Sequence, residues 1–326
     1  MEFLDRVADR PFTSAMAVAG GATRDQVRDW VRTGTVRRIL SDVYVDASAA
    51  DGVELRARAA SLVLPEHAVV CDRSAAWLHG VDVLEFAEHD LVPDLDVVSV
   101  NCNNPSRRRG IFGGKRDLLE SEITVVQGVR VTTPLRTVCD LVCLRGRWQA
   151  MAVLDAFRRA FGITEAELRA MLPRFAGRRG CRQLRELIPL STDQADSRPE
   201  SWTRIIIHDE GLPVPAAQVW VVLPSGRRAR VENAYAYLRI GVEYDGEEDH
   251  TTDEDRDHDD GRRGELDDEG WIILVLRKHD FGPGQREAWL RELRAAIDSR
   301  SPERASKRIY ARGPDEPSYR WKRRRH

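Results

Sequence analysis

The run Arg239-Ile240-Gly241-Val242-Glu243-Tyr244-Asp245-Gly246, with His250 just beyond it, carries the clearest chemistry in this 326-residue chain. Its apolar start predicts a strand. Side chains two apart in a strand share a face, so Glu243 and Asp245 are delivered together. Gly246 then lets the backbone turn away. Upstream, Glu232 ends the strand-like run Arg228-Ala229-Arg230-Val231. Acidic side chains gathered at neighbouring strand ends suit a divalent cation that activates water against a phosphodiester, and His250 is placed to serve as general base or acid. The competing reading is plain: Asp245-Gly246 is also a turn former, and His250 an exposed residue in an acidic run.

Working outward, the order of elements around this run is helix, three strands, helix, strand, helix, which predicts a mixed α/β layer. Glu200-Ser201-Trp202 opens the first helix and Gly211 stops it; Gln218–Leu223, Ala229–Val231 and Ile240–Tyr244 are the three strands. A polar helix over about 252–269 follows. The apolar Ile272–Leu276 reads as a strand for the middle of a sheet, and Glu287–Asp298 as a closing helix. On that polar helix, Arg262 either pairs with Asp259 at i, i+3 or meets a phosphate. A polar linker, Ser191–Pro199, separates this segment from what precedes it.

Composition narrows the class. Apolar residues make up 42% and charged residues 32%, with a net charge of −2, so this is not a chain coated in nucleic acid. Charge is uneven, however: 15 Asp/Glu against 3 Arg over 243–269, and 10 Lys/Arg against 3 acids over 300–326. The basic end, 301–326, is poor in apolar residues and is expected to be disordered, free to touch phosphates or simply to solubilise. No apolar run is long enough to span a bilayer, and the first residues lack a signal-peptide pattern. Cys71, Cys102, Cys139, Cys143 and Cys181 are odd in number without a CxxC pair, which reads as buried thiols in a cytoplasmic protein with no membrane partner.

At the other end, residues 1–47 predict helices followed by a hairpin. Thr23-Arg24-Asp25-Gln26 is a capping box; the helix it opens turns Val27, Trp30 and Val31 inward and Arg24, Arg28 and Arg32 outward. Val36–Leu40 and Val43–Val45 form two short strands, with Arg37 and Arg38 on the first. Helices followed by such a hairpin make a winged helix, whose basic residues would meet phosphates; a small helical domain with a solvated arginine face is the alternative. The phrases Gly20-Gly21-Ala22-Thr23-Arg24-Asp25-Gln26-Val27, Thr33-Gly34-Thr35-Val36-Arg37-Arg38 and Val43-Tyr44 resemble the N-terminal domain of AbiEi-type antitoxins of type IV toxin–antitoxin systems. Asp42 replaces the family's usual Gly before Val-Tyr. The resemblance implies a winged helix-turn-helix that binds operator DNA, and a cognate toxin as partner.

Residues 52–190 mix helices with short strands. Glu54–Leu64 and Arg73–Gly80 read as helices, Leu95–Val100 and Ile123–Val131 as strands, Arg136 to Phe161 as one long helical stretch, and Thr164–Glu167 as a second capping box. Ser74-Ala75-Ala76-Trp77-Leu78-His79-Gly80 and Thr133-Pro134-Leu135-Arg136-Thr137-Val138-Cys139-Asp140 look like the middle domain that accompanies AbiEi-like N-termini; no reaction follows from it. His79 beside a helix-ending Gly reads as a packed or capping histidine, and Arg107–Arg109 as a solvated loop or a phosphate contact.

Over 197–299 the phrases Glu200-Ser201, Gly211-Leu212-Pro213, Glu243-Tyr244-Asp245-Gly246, Asp259-x-x-Arg262 and Gly270-Trp271 resemble the very-short-patch-repair-like endonucleases of the PD-(D/E)xK superfamily. That likeness implies a core binding Mg²⁺ (or Mn²⁺) through Glu232, Glu243 and Asp245, with Glu200 orienting metal-bound water. Two departures stand out: Glu232 takes the place of the usual Asp, and Asp245 that of a common Lys. The expected architecture is therefore α+β and multidomain: an N-terminal winged helix-turn-helix, a mixed α/β middle domain and a restriction-endonuclease-like α/β domain. Two functions fit it: a metal-dependent DNA endonuclease, or an antitoxin-type transcriptional regulator whose nuclease-like domain is degenerate.

Overall fold

The computed structural model describes residues 2–65, 67–83, 95–100, 111–246 and 253–301. His250, Cys102, Arg107–Arg109 and the basic end 302–326 lie outside them. Among the described residues the protein is α+β, with three sheets and twelve α-helices. It divides into two compact units, 1–214 and 215–326. None of the described helices is long and apolar enough to cross a membrane.

The first unit begins with helix α1 (Glu2–Val7), strand β1 (Phe12–Thr13), helices α2 (Ser14–Ala19) and α3 (Arg24–Arg32), and strands β2 (Val36–Leu40) and β3 (Val43–Asp46). The strands form an antiparallel sheet in the order β1-β3-β2. Phe3, Phe12, Ala17, Val27 and Val36 make the core here, with Trp30 stacked on Phe3 at 6.3 Å. The hairpin turns on Asp42 at φ 61°, a left-handed conformation that Asp tolerates better than most residues. That is the position where the antitoxin resemblance expects Gly. The other face of the hairpin is not closed on itself: Ile39, Leu40, Val43 and Val45 pack with Leu55, Ala59, Val70 and Val131 of the next segment. A shared apolar core makes one unit out of what reads as two segments.

The unit continues through α4 (Val53–Ser61), β4 (Ala68–Val70), α5 (Asp72–Leu78), β5 (Leu95–Ser99), β6 (Ile111–Lys115), β7 (Ile123–Val126) and β8 (Val129–Thr132). These strands form a five-stranded sheet, β6-β5-β4-β8-β7, with both parallel and antiparallel pairs. The single strand expected over Ile123–Val131 is a hairpin. Gln127 and Gly128 both have positive φ (48° and 85°), the signature of a tight two-residue turn that Gly128 makes affordable. Helices α6 (Pro134–Leu144), α7 (Arg147–Phe161), α8 (Glu165–Met171), α9 (Cys181–Leu187) and α10 (Arg198–Asp209) complete the unit. The long helical stretch expected from Arg136 to Phe161 breaks at Arg145, whose extended backbone ends α6, and Gly146 caps α7. Both capping boxes, at Thr23 and Thr164, are present. Helix α10, read from sequence as the opening of the last domain, lies in the first unit, where its Ile205 joins the α6–α9 core.

The second unit is a four-stranded sheet, β12-β11-β10-β9, with two long helices. Strand β9 (Ala216–Val222) pairs antiparallel with β10 (Arg228–Tyr235), and β10 with β11 (Ile240–Tyr244); β12 (Ile272–Leu276) runs parallel to β11. Helix α11 (Asp253–Asp268) joins β11 to β12, and α12 (Pro283–Arg300) follows. Strand β12 was expected mid-sheet and stands at an edge; helices on its flank, not a second neighbouring strand, account for its apolar sequence. Gly241 is fixed by packing: a Cβ there would come within 2.6 Å of Val231 Cγ1 and 2.7 Å of Ile273 Cδ1.

Candidate nucleic-acid interface

Helices α2 and α3 are joined by the four residues Gly20–Thr23. Thr23 fixes the start of α3: its hydroxyl accepts from Gln26 N at 3.1 Å, and Gln26 Oε1 accepts from Thr23 N at 2.7 Å. Between α2, α3 and the hairpin runs an open groove of about 950 Å³ whose lining includes Arg24, Arg28, Arg38, Asp42 and Tyr44. Exposed Val18 and Val31 border it. Three of the five predicted phosphate-binding arginines are thus brought together from two elements. Arg28 is paired with Asp25 at 2.7 Å and Arg32 with Asp29 at 3.1 Å, both pairs largely exposed. Exposed pairs of this kind are worth at most about 1 kcal/mol, so exchange of a carboxylate for a phosphate costs little. Arg38 is steadied by Ser41 Oγ at 3.0 Å. Arg37 does not join the groove. Adjacent residues in a strand face opposite ways, and its guanidinium donates to Ala49 O at 3.0 Å.

The acidic residues of the sequence reading are held by separate donors. Glu200 belongs to the first unit, is buried, and accepts from Asp196 N at 3.0 Å, closing the start of its own helix. Glu232 lies inside β10 rather than at its end, because the strand runs on to Tyr235, and its Oε2 accepts from Tyr244 N at 2.8 Å. Glu243 is 3% exposed, and both its oxygens accept from Arg262, at 2.9 and 2.8 Å, with Arg263 at 3.7 Å. Asp245 lies 3.5 Å from Arg277. Mg²⁺ binds carboxylate oxygens at about 2.0–2.1 Å and tolerates little distortion. In this structure the bidentate guanidinium of Arg262 occupies one lone pair on each Glu243 oxygen, positions that a metal ion would compete for. No three His, Cys, Asp or Glu side chains gather as a metal-ion site among the described residues. His250 is outside them.

Sequence reasoning missed the densest polar feature of the first unit. Arg136, fully buried, donates to Glu122 Oε2 at 2.8 Å and to Asp140 at 2.7 and 3.2 Å, and lies over the Phe175 ring at 5.0 Å. Arg116 ties Asp72 (2.8 Å) to Asp140 (3.0 Å), and Arg174 covers the remaining side of Glu122 at 3.0 Å. Burial pushes the Glu122 carboxyl up, but Arg174, the Leu119 N–H and Arg136 outweigh it and hold it at about 2. Nearby, His79 Nε2 meets Thr132 O at 2.8 Å, and burial lowers its pKa despite that contact, so it is a packed histidine. Burial pushes Cys71 and Cys139 up as well, and Cys143 to about 12; with Cys181 these are free thiols. Arg136 and Asp140, four apart on α6, were the available signal, but their partner Glu122 sits before the β7–β8 hairpin.

This network lies within the stretch of the chain that a known family model matches. Residues 68–190 match the AbiEi antitoxin C-terminal domain. The AbiEi match takes in the mixed sheet from β4 onward and helices α5–α9, including both phrases built on His79 and on Arg136–Asp140. It leaves the groove and the second unit outside. Two proteins of Mycobacterium tuberculosis strains, both named as uncharacterized, are each 29% identical to this chain over 260 residues, covering 78% of it and 90% of their own length.

Proposed function

We propose that this protein is an antitoxin-type DNA-binding regulator of a type IV toxin–antitoxin system, with a winged helix-turn-helix at its front and a cognate toxin as partner. The AbiEi antitoxin C-terminal domain match over 68–190 carries the reading. The groove supports it: a two-helix motif with a four-residue turn, followed by a hairpin, presents Arg24, Arg28 and Arg38 together. In this reading α3 enters the major groove, and the hairpin arginine meets the backbone beside it. In this reading DNA cleavage by the second unit is not part of the function, and the Arg262–Glu243 ion pair supports that.

The test is binding of the full chain to duplex DNA from upstream of its own coding sequence, across a salt series. Arg24→Ala/Arg28→Ala/Arg38→Ala should weaken binding and lower the slope of log K against log salt by about 2.7, at about 0.9 per phosphate contact. Arg37→Ala should leave the slope unchanged. Unaltered binding by the triple variant sinks the assignment of the groove. Nicking of supercoiled plasmid in Mg²⁺ or Mn²⁺, abolished by Glu243→Ala, would replace the regulator reading with the endonuclease one.

A further inference from the structure

Among the described residues β9 is an edge strand of the second unit's sheet, and its two faces differ sharply. Val219 and Val221 pack inward with Ala229 and Val231. On the other side, Trp220 is 55% exposed and Val222 70% exposed. Their cross-strand partners are arginines: Arg230 opposite Trp220, and Arg228 opposite Val222. Both guanidiniums lie over the indole, Arg228 at 4.7 Å and Arg230 at 5.7 Å from the ring centroid. Among the described residues no carboxylate pairs with Arg228. Arg227, the next residue back, is taken up by Glu265.

A large aromatic left in water with cations on it calls for an explanation, because isolated exposed apolar residues are ordinary but a Trp–Val–Arg–Arg cluster on one face is not. Nucleic acid in single strands fits that chemistry. Its bases stack on aromatic rings, and its phosphates alternate with the bases along the chain, where guanidiniums beside the ring can reach them. The cluster lies on the exposed face of β9 and β10, where a duplex with its bases stacked inside could not use the ring in this way. We propose that the outer face of β9–β10, built on Trp220, Arg228 and Arg230, is a stacking site for unpaired bases of single-stranded DNA. The choice of DNA over RNA rests on the function proposed above; the stacking surface does not.

Full-length protein carrying Arg24→Ala/Arg28→Ala/Arg38→Ala isolates this face from the groove. Fluorescence anisotropy would follow its binding to labelled oligothymidylate of about 20 nucleotides, longer than one stacking site. Trp220→Ala should weaken binding at least about fivefold, the lower end of a lost base–aromatic stack, while Trp220→Phe keeps most of the affinity. Arg228→Ala/Arg230→Ala should lower the salt slope by about 1.4, at about 0.7 per contact on a single strand. Circular dichroism checks that each variant is folded, which the exposure of these side chains favours. Binding by Trp220→Ala within about twofold of its parent overturns the stacking site. So does an equal loss on duplex DNA of the same length, which would mean a general basic patch. Tighter binding of RNA overturns the choice of DNA. If the arginines serve only to keep an edge strand from self-association, their variant will aggregate without losing affinity, and the proposal fails. Operator binding by the unmodified groove is measured separately, so either reading can fail alone.

Discussion

Arg136→Met should destabilise the first unit by about 3 kcal/mol, the lower end of what losing one partner of a buried ion pair costs. The figure follows from who is left behind. Methionine fills much of the arginine's volume, so the cavity is small. Asp140 loses two hydrogen bonds but keeps Arg116 at 3.0 Å. Glu122 loses one and keeps Arg174 at 3.0 Å and the Leu119 N–H at 2.8 Å. Neither carboxylate is stranded, so the loss stays below the upper value of about 5 kcal/mol. Arg136→Lys retains a charge but offers a compact ammonium where a planar fork reaches Glu122 and Asp140 at once, and it should cost about 1–2 kcal/mol. The chain has two compact units. Hydrogen exchange at α6 amides therefore reports the first unit's opening energy more cleanly than a whole-chain urea melt. A methionine variant whose α6 protection falls by less than about 1 kcal/mol would refute the claim that Arg136 is an energetic centre of this unit.

The same network gives a pH signature. Glu122 has a folded pKa of about 2 against an ordinary 4.5, so its contribution is fully present above about 4.5 and is lost as pH falls toward about 2; acid titration of α6 protection should show this, and less of it in Arg136→Met. Arg262→Met leaves the buried Glu243 with only the longer Arg263 contact, and should cost about 3 kcal/mol in a thermal or urea melt, most of it recovered in Arg262→Met/Glu243→Leu. Gly241→Ala should cost about 1–3 kcal/mol by overpacking against Val231 and Ile273. Asp42→Gly removes a carboxylate from a groove lined with arginines and relieves a left-handed Asp; operator affinity should rise by a few fold, with little change in melting temperature.

Local grammar was legible and distant pairing was not. Thr23 and Thr164 announce their helices because a capping box is closed within four residues. The strand ending in Glu243-Tyr244 was legible through its apolar run and the Asp245-Gly246 behind it. The contact of Arg262 with Glu243, 19 residues away, was not: the partner in view in the sequence is Asp259, whose side chain lies outside the described residues. The interruptions at Gln127-Gly128 and Arg145-Gly146 sit inside runs whose apolar period hardly changes, so periodicity alone joins what the backbone separates. The arginines of β10 carried no reading of their own beyond belonging to a strand-like run. Only the register, Arg230 against Trp220, shows them gathered on one ring.

The acids of β10 and the end of β11 bear on the endonuclease resemblance, which expects a common lysine where Asp245 stands. Metal sites concentrate negative charge that only a cation from outside can balance. Here each carboxylate has an internal counterpart from a different place in the second unit: the Tyr244 N–H for Glu232, Arg262 of α11 for Glu243, and Arg277 just after β12 for Asp245. Two of the three acids are therefore met by arginines from elsewhere in the unit, and Glu232 by a neutral N–H. Under the inference drawn above, the exposed cluster on β9–β10, rather than the acids around Glu243, is where the second unit would meet DNA.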